Sequence, residues 1–181
     1  DRTKTMETTI GYLLHSYKNP SESPSVILND ESITDNPEGG TGKGLTVKGI
    51  SHIRNIYIVD GKRYDGANKF SFQSVTSDTQ IISFDDISRK FDFEKLFSVI
   101  TEGVTVEKKF RDEIKIPFDK SPKIVITTNY AIKGKGSSYK RRKWDVELHK
   151  FYSEDFNPGD EFGRQMFTDW NADDWCRFDA Y

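Results

Sequence analysis

The order of apolar segments predicts an α/β fold: a central, largely parallel β-sheet flanked by helices, and an inserted β-hairpin. The first observation is a series of short apolar runs, Ser25–Leu28 (SVIL), Ile56–Val59 (IYIV), Gln80–Phe84 (QIISF) and Lys123–Thr127 (KIVIT), each of strand length. The second is that stretches of helical spacing stand between these runs, joined by short connections. The third is a pair of strand-like segments, Thr105–Lys109 and Glu113–Pro117, separated by a charged turn, which reads as the hairpin.

Taken in order, Met6, Ile10, Leu13, Leu14 and Tyr17 recur at helical spacing and predict an opening amphipathic helix. Asn19-Pro20 and the Ser/Pro run behind it end that helix. SVIL is the first strand. A polar stretch then leads into Gly39-Gly40-Thr41-Gly42-Lys43-Gly44, and Leu45, Val47 and Ile50 open the next helix. IYIV and Phe70–Gln73 read as further strands, and QIISF runs straight into Asp85-Asp86. Phe93, Leu96, Phe97 and Ile100 give the segment 91–100 helical periodicity. Beyond the hairpin, KIVIT ends at Thr128-Asn129, and after a basic loop Trp144, Val146 and Leu148 alternate as in a strand. From Pro158 onward, Phe162, Met166, Phe167, Trp170 and Trp175 form an apolar helical stripe. The expected organisation is one domain: an N-terminal helix (1–20), a core (25–150) and a helical tail (151–181).

Composition narrows the function. A chain of 181 residues fits one domain with a sizeable core. No apolar run is long enough to span a membrane, and the segment DRTKTMETT lacks the apolar core of a signal peptide. The missing initiator Met points to a piece of a longer protein. Cys176 is the only cysteine, so no intrachain disulfide or cysteine-based zinc site is expected, which fits a reducing intracellular setting. His15, His52 and His149 fall in no metal-ligand spacing. The net charge of −2 gives no global pull toward nucleic acid. Charge is instead local: Lys133, Lys135, Lys140, Arg141, Arg142 and Lys143 crowd one loop, while Asp160, Glu161, Asp169, Asp173 and Asp174 make the tail acidic.

A strand, a glycine-rich turn, a lysine and a helix form the arrangement that binds nucleotide phosphates. Backbone N–H groups of Gly39, Gly40, Thr41, Gly42, Gly44 and Leu45 can close around phosphate oxygens, the helix start adds partial positive charge, and Lys43 adds a full one. The segment departs from G-x-x-x-x-G-K-[ST] at two positions. Pro37 stands at the first glycine, and Gly44 replaces the residue whose hydroxyl binds Mg²⁺. Thr46 lies around the helix from that position, so water is expected to fill the vacant coordination. The bland alternative is a flexible glycine turn with an incidental lysine.

Asp85 and Asp86 close an apolar strand behind the glycine loop, and carboxylates at such strand ends face the crevice where α/β sheets bind ligands. There Asp85 can hold Mg²⁺ and Asp86 can accept a proton from an attacking water. Asn129 ends the next strand in the same way and can orient that water. Arg141 and Arg142 precede the strand WDVEL; an arginine offered to a neighbour's γ-phosphate would stabilise transition-state charge, whereas the plain reading is a solvated basic loop.

In this order the pieces resemble the superfamily 3 helicases, a ring-forming branch of the AAA+ P-loop ATPases. The resemblance runs from GGTGKG through ISFDD, TVEKKFRDEIKI and VITTN to RRKWDVEL, over residues 25–150. More narrowly, FDDI, FDFEKLFSVIT, KSPKIVITTNYAIKG and DEFGRQMFTDW resemble the helicase half of primase-helicases of phages and mobile elements. The resemblance implies an ATP- and Mg²⁺-dependent DNA helicase or translocase, in the cytoplasm of an infected or element-bearing bacterium. It further implies a homo-oligomeric, hexameric ring around single-stranded or fork DNA. Lys43 would bind the β/γ-phosphates, Asp85 Mg²⁺ and Asp86 the attacking water, while Asn129 would sense the γ-phosphate. Arg142, with Arg141 as the alternative, would reach the adjacent subunit. Lys108, Lys109, Phe110 and Arg111 on the hairpin would grip DNA without reading its sequence.

Overall fold

A computed structural model of the chain describes residues 1–32, 39–153 and 155–180. Helix α1 (Arg2–Leu14) starts on Asp1, whose carboxylate accepts the Thr3 N–H at 3.1 Å, and buries Leu13. It is shorter than its periodicity predicts: His15 is already extended and Tyr17 is exposed. Strand β1 (Ser25–Asp30), helix α2 (Lys43–Ser51), strand β2 (Ile56–Asp60) and strand β3 (Ile81–Asp85) follow. A 3₁₀ turn at Phe93–Leu96 runs into helix α3 (Phe97–Thr101), and the hairpin is β4 (Gly103–Val106) with β5 (Ile114–Pro117). Strand β6 (Lys123–Thr127), helix α4 (Ser137–Lys140), strand β7 (Lys143–Leu148) and helices α5 (Pro158–Phe162) and α6 (Ala172–Asp179) complete the chain.

Five strands form one sheet in the order β2-β3-β6-β1-β7, every pair parallel. Parallel pairing puts all their carboxyl ends along one edge, where ligands of open α/β sheets bind. Because β6 lies between β1 and β3, Thr127 is flanked by the strand ending at Asp30 and the strand ending at Asp85. One face of the sheet buries Ile27, Ile82, Phe84 and Ile124 against Phe93, Leu96 and the hairpin residues Val104, Val106 and Ile116. The other buries Val26, Leu28, Ile81 and Val125 against Leu13 of α1 and Val47 and Ile50 of α2. Each such side chain contributes about 1.5–3 kcal/mol on burial, so both helical layers are held firmly to the strand ends.

Two further expectations are corrected. Phe70–Gln73 is a run of turns, not a strand. The Asn68 carboxamide oxygen accepts the Phe70 N–H at 3.0 Å and the Phe70 carbonyl accepts the Gln73 N–H at 3.0 Å, so these backbone groups are met locally while Phe72 enters the core. The tail is not one helical stripe. Gly163, left-handed at φ 66°, ends α5, and the capping box of Asn171 with Asp174 starts α6 afresh. Phe167, Trp170, Trp175 and Phe178 gather instead into an aromatic cluster against His52. Among the described residues, no helix is long and apolar enough to cross a membrane.

Candidate functional site

Beyond the carboxyl end of β1 the chain returns as the glycine-rich loop. Gly39, Gly40 and Gly42 have φ of 72°, 80° and 92°, the left-handed region, and a Cβ on any of them would meet nothing within 4 Å. Backbone conformation rather than crowding therefore demands glycine here. Gly42 caps α2, whose first turn carries Lys43, Gly44 and Leu45. Pro37 lies outside the described residues. Lys43 is buried, and its ammonium donates to Asp30 Oδ1 and, at 3.1 Å, to Thr41 Oγ1, while Thr41 itself donates to Asp30 Oδ1 at 2.5 Å. Thr46 is tied to the Gly42 carbonyl at 3.0 Å and cannot stand in for the hydroxyl missing at Gly44.

The carboxylates of β3 are organised by the next strand. Thr127 Oγ1 donates to Asp85 Oδ1 at 2.8 Å and accepts the Asp86 backbone N–H at 2.8 Å. Asp86 adopts φ 49°, a left-handed backbone that costs a non-glycine residue about 1–2 kcal/mol. Asn129 Nδ2 donates to Asp86 Oδ1 at 3.3 Å, and Asn129 Oδ1 is buried without a partner. Asp86 Oδ2 pairs with Lys62, which is thereby held above its ordinary pKa. Lys62 follows a tight turn in which a Cβ on Gly61 would stand 2.6 Å from the Asp85 carbonyl oxygen, so only glycine lets β2 and β3 run this close.

Beside the loop, an apolar cavity of about 360 Å³ extends from Thr41 and Gly42 between α1 (Met6, Ile10), α2 (Leu45, Gly49) and the tail (Phe167). It falls in the size range of small-molecule sites. The residues present fit a nucleotide: a left-handed glycine loop, a buried lysine, an apolar neighbour cavity and an orphaned amide oxygen. Mg²⁺ fits with fewer direct protein ligands, since Asp85 offers a carboxylate and Gly44 offers nothing; Mg²⁺ ordinarily retains several waters.

The arginines are not brought to this edge. They precede β7, which pairs with β1 from Ser25↔Lys143 onward, so they sit at the opposite end of a six-residue strand, about 20 Å away. Arg142 is engaged within the chain: its Nη1 donates to the Ser138 carbonyl at 3.1 Å and its guanidinium lies 4.5 Å from the Phe97 ring centroid. Burial and neighbouring Arg141 lower its pKa. Arg141 is exposed. On the hairpin, Lys109, Phe110 and Arg111 are exposed, Phe110 completely and at φ 59°, while Lys108 is half-buried. The Lys69–Glu107 pair at 3.0 Å braces the base of the tip.

Asp30, Lys62 and Thr127 were not singled out from the sequence. Asp30 had a signal, since it closes SVILN as Asp85 closes IISF. Lys62 and Thr127 had none, because their roles depend on which strands are neighbours.

Comparison with known proteins agrees with this architecture. The family described as "Family of unknown function (DUF5906)" matches residues 36–142, more than half of the chain. Among curated proteins none matches. Among solved structures, the apo C-terminal region of NrS-1 aligns with a TM-score of 0.57 and 16% identity over 97% of this chain and 38% of that one. A second NrS-1 C-terminal structure, residues 305–718, gives 0.53 and 18% over 97% and 39%. The JCV helicase bound to a thiazolopyridine compound gives 0.56 and 14% over 80% and 41%. The chain thus spans about two fifths of the structures it matches, and at these identities the likeness shows the fold.

Proposed function

The chain belongs to DUF5906, a family of unknown function, and we propose that within it this module binds and hydrolyses ATP to drive movement along, or unwinding of, nucleic acid. The observation that carries this reading is the convergence of Lys43, Asp85, Asp86 and Asn129 on the carboxyl edge of one parallel sheet, around a left-handed glycine loop. The loop amides and Lys43 would hold the β/γ-phosphates once Lys43 leaves Asp30. The base would lie in the apolar cavity beside Thr41, which offers packing and few polar contacts. Asp85, with water in place of a hydroxyl at Gly44, would hold Mg²⁺, whose chemistry there is to neutralise charge on the phosphates. Asp86, paired with Lys62 and aligned by Asn129, would take a proton from the attacking water.

Arg141 and Arg142 lie at the opposite end of the sheet from that edge, and Arg89, which does reach it, stands 4.7 Å from the Tyr130 ring centroid. We infer a homo-oligomeric ring, a hexamer on the sequence resemblance, in which an arginine at the amino end of β7 completes the neighbour's site. Arg141, exposed, is better placed than Arg142, which is packed on Phe97. The hairpin tip, with Lys109, Phe110 and Arg111 free of the core, would contact single-stranded DNA.

A second reading, a nucleotide-gated assembly module with little turnover, is favoured by Gly44. The two separate in one experiment: ATP turnover across a protein concentration series, with and without single-stranded DNA. Turnover that rises faster than linearly and is stimulated by DNA is expected. Tight ATP binding with no turnover at any concentration would support the assembly module instead.

A further inference from the structure

At the end of the sheet away from the glycine loop, the approaches to β3 and β6 wall a cavity of about 300 Å³. Its buried lining is polar: Lys123, only 4% exposed, with Thr79 and Ser121, each 6% exposed, the Ser121 hydroxyl donating to the Phe118 carbonyl at 2.9 Å. Half-buried Arg54 and exposed Lys120 also line it, and its two carboxylates, Asp78 and Asp119, belong to exposed residues.

The buried cations here are held by neutral groups, and Asp119 is the carboxylate whose charge reaches Lys18. Lys123 Nζ donates to the carbonyl oxygens of Tyr12 and, at 2.7 Å, His15, and lies 3.9 Å from the Tyr12 ring centroid. Arg54 Nη2 donates to Ser16 Oγ at 2.8 Å, and its Nε is buried with no partner. Both cations are therefore fastened to consecutive residues just past α1. Lys18, itself buried, donates to Ser121 Oγ on the cavity wall at 2.7 Å. Among the described residues, none of these three cations forms an ion pair with a carboxylate.

Burial, then the fields of Arg54 and Lys18, push Lys123 down to about 8, and burial pushes Lys18 to about 8 as well. The carbonyl end of α1 satisfies the Lys123 hydrogens, but a helix terminus carries only about half an elementary charge. Cations clustered in and beside the cavity, with Asp119 offsetting Lys18 only in part, are costly, and a multiply charged anion relieves both their desolvation and their mutual repulsion.

We propose that this cavity is a phosphate-binding site, separate from the glycine loop, in which Arg54 supplies the guanidinium fork and Lys123 and Lys18 supply the field. An arginine fork with neighbouring hydroxyls suits a tetrahedral oxyanion, and the volume admits a phosphate group with part of what it is attached to. That phosphate comes either from a nucleic-acid backbone or from a free phosphate.

The test is an NMR titration of the whole chain at constant ionic strength, following the Arg54 Nε–H and Lys123 side-chain signals. Inorganic phosphate is added first, then a short single-stranded oligonucleotide, with chloride as the reference. The expected result is a saturable shift with phosphate, unchanged in Lys43→Ala and weakened about tenfold by Arg54→Gln, the scale of one charge-assisted hydrogen bond. Lys120→Glu, at an exposed position of the lining, should weaken it too. An oligonucleotide that gives the same shift at lower concentration assigns the backbone as the source, and a shift with inorganic phosphate alone assigns a free anion. Signals that move with phosphate no more than with chloride, or a shift lost in Lys43→Ala, overturn the site.

Discussion

Lys43, the only cation of the glycine loop, lies against the Asp30 carboxylate, with Thr41 bonded to both. The pair is buried on both sides, each side chain 11% exposed. An anionic oxygen thus already sits against the Lys43 ammonium, and on the proposed function a phosphate would have to exchange with it.

Asp30→Asn removes that competing charge while keeping a group that accepts from Thr41. Affinity for metal-free ATP should rise about tenfold, and stability of the free chain should fall by about 3 kcal/mol because Lys43 loses its buried counter-charge. Calorimetric titration and chemical denaturation measure the two effects. A folded variant with unchanged ATP affinity would mean that Asp30 does not compete for the lysine.

Gly44 has an ordinary backbone conformation, and a Cβ there would meet nothing within 4 Å. Gly44→Ser should therefore fold normally and gain a few tenths of a kcal/mol in helix propensity, about 0.5 kcal/mol at most. With a hydroxyl in the first turn of α2, Mg²⁺-dependent ATP turnover should increase. A variant whose turnover and Mg²⁺ dependence match the parent would show that water coordinates as well as serine at this position.

The arginines should separate by assay. Arg142→Ala removes the contact with Phe97 and should cost about 1 kcal/mol of stability. Arg141→Ala should leave stability unchanged and ATP binding intact, while turnover at ring-forming concentrations collapses. Full turnover by Arg141→Ala in an oligomer verified by sedimentation would remove it from the neighbour's site.

Stability should depend on pH through Lys18 and Lys123. Both titrate near 8 in the folded chain against an ordinary 10.5, so between those values the unfolded chain holds more protons and stability rises with pH. The cost of burying their charge is full below about 8. Tyr12 and Tyr64, held above their ordinary value by burial, oppose this once pH passes 10. The denaturation midpoint should climb from pH 8 to 10, and the slope should vanish in a Lys18→Met, Lys123→Met variant.

Much of this was legible in the chain itself. The apolar runs SVIL, IYIV, QIISF and KIVIT became four strands of the sheet, and GGTGKG became a left-handed loop capping a helix, because apolar continuity and glycine φ are local properties. Phe70–Gln73 and the tail were misread because local side-chain caps at Asn68 and Asn171 compete with periodicity, and a short window cannot show which prevails.

The sequence by itself therefore determined the parts: which segments are strands, where backbone can close on an anion, and which carboxylates end a buried strand. Tertiary structure alone decided the partners. Inserting β6 between β1 and β3 places Thr127 against Asp85 and Asn129 against Asp86; the turn after β2 brings Lys62 to Asp86; and parallel β7 puts Arg141 and Arg142 at the far edge. Strand order is set by how both faces of the sheet bury their apolar side chains at once, a condition on the whole chain that no local segment carries.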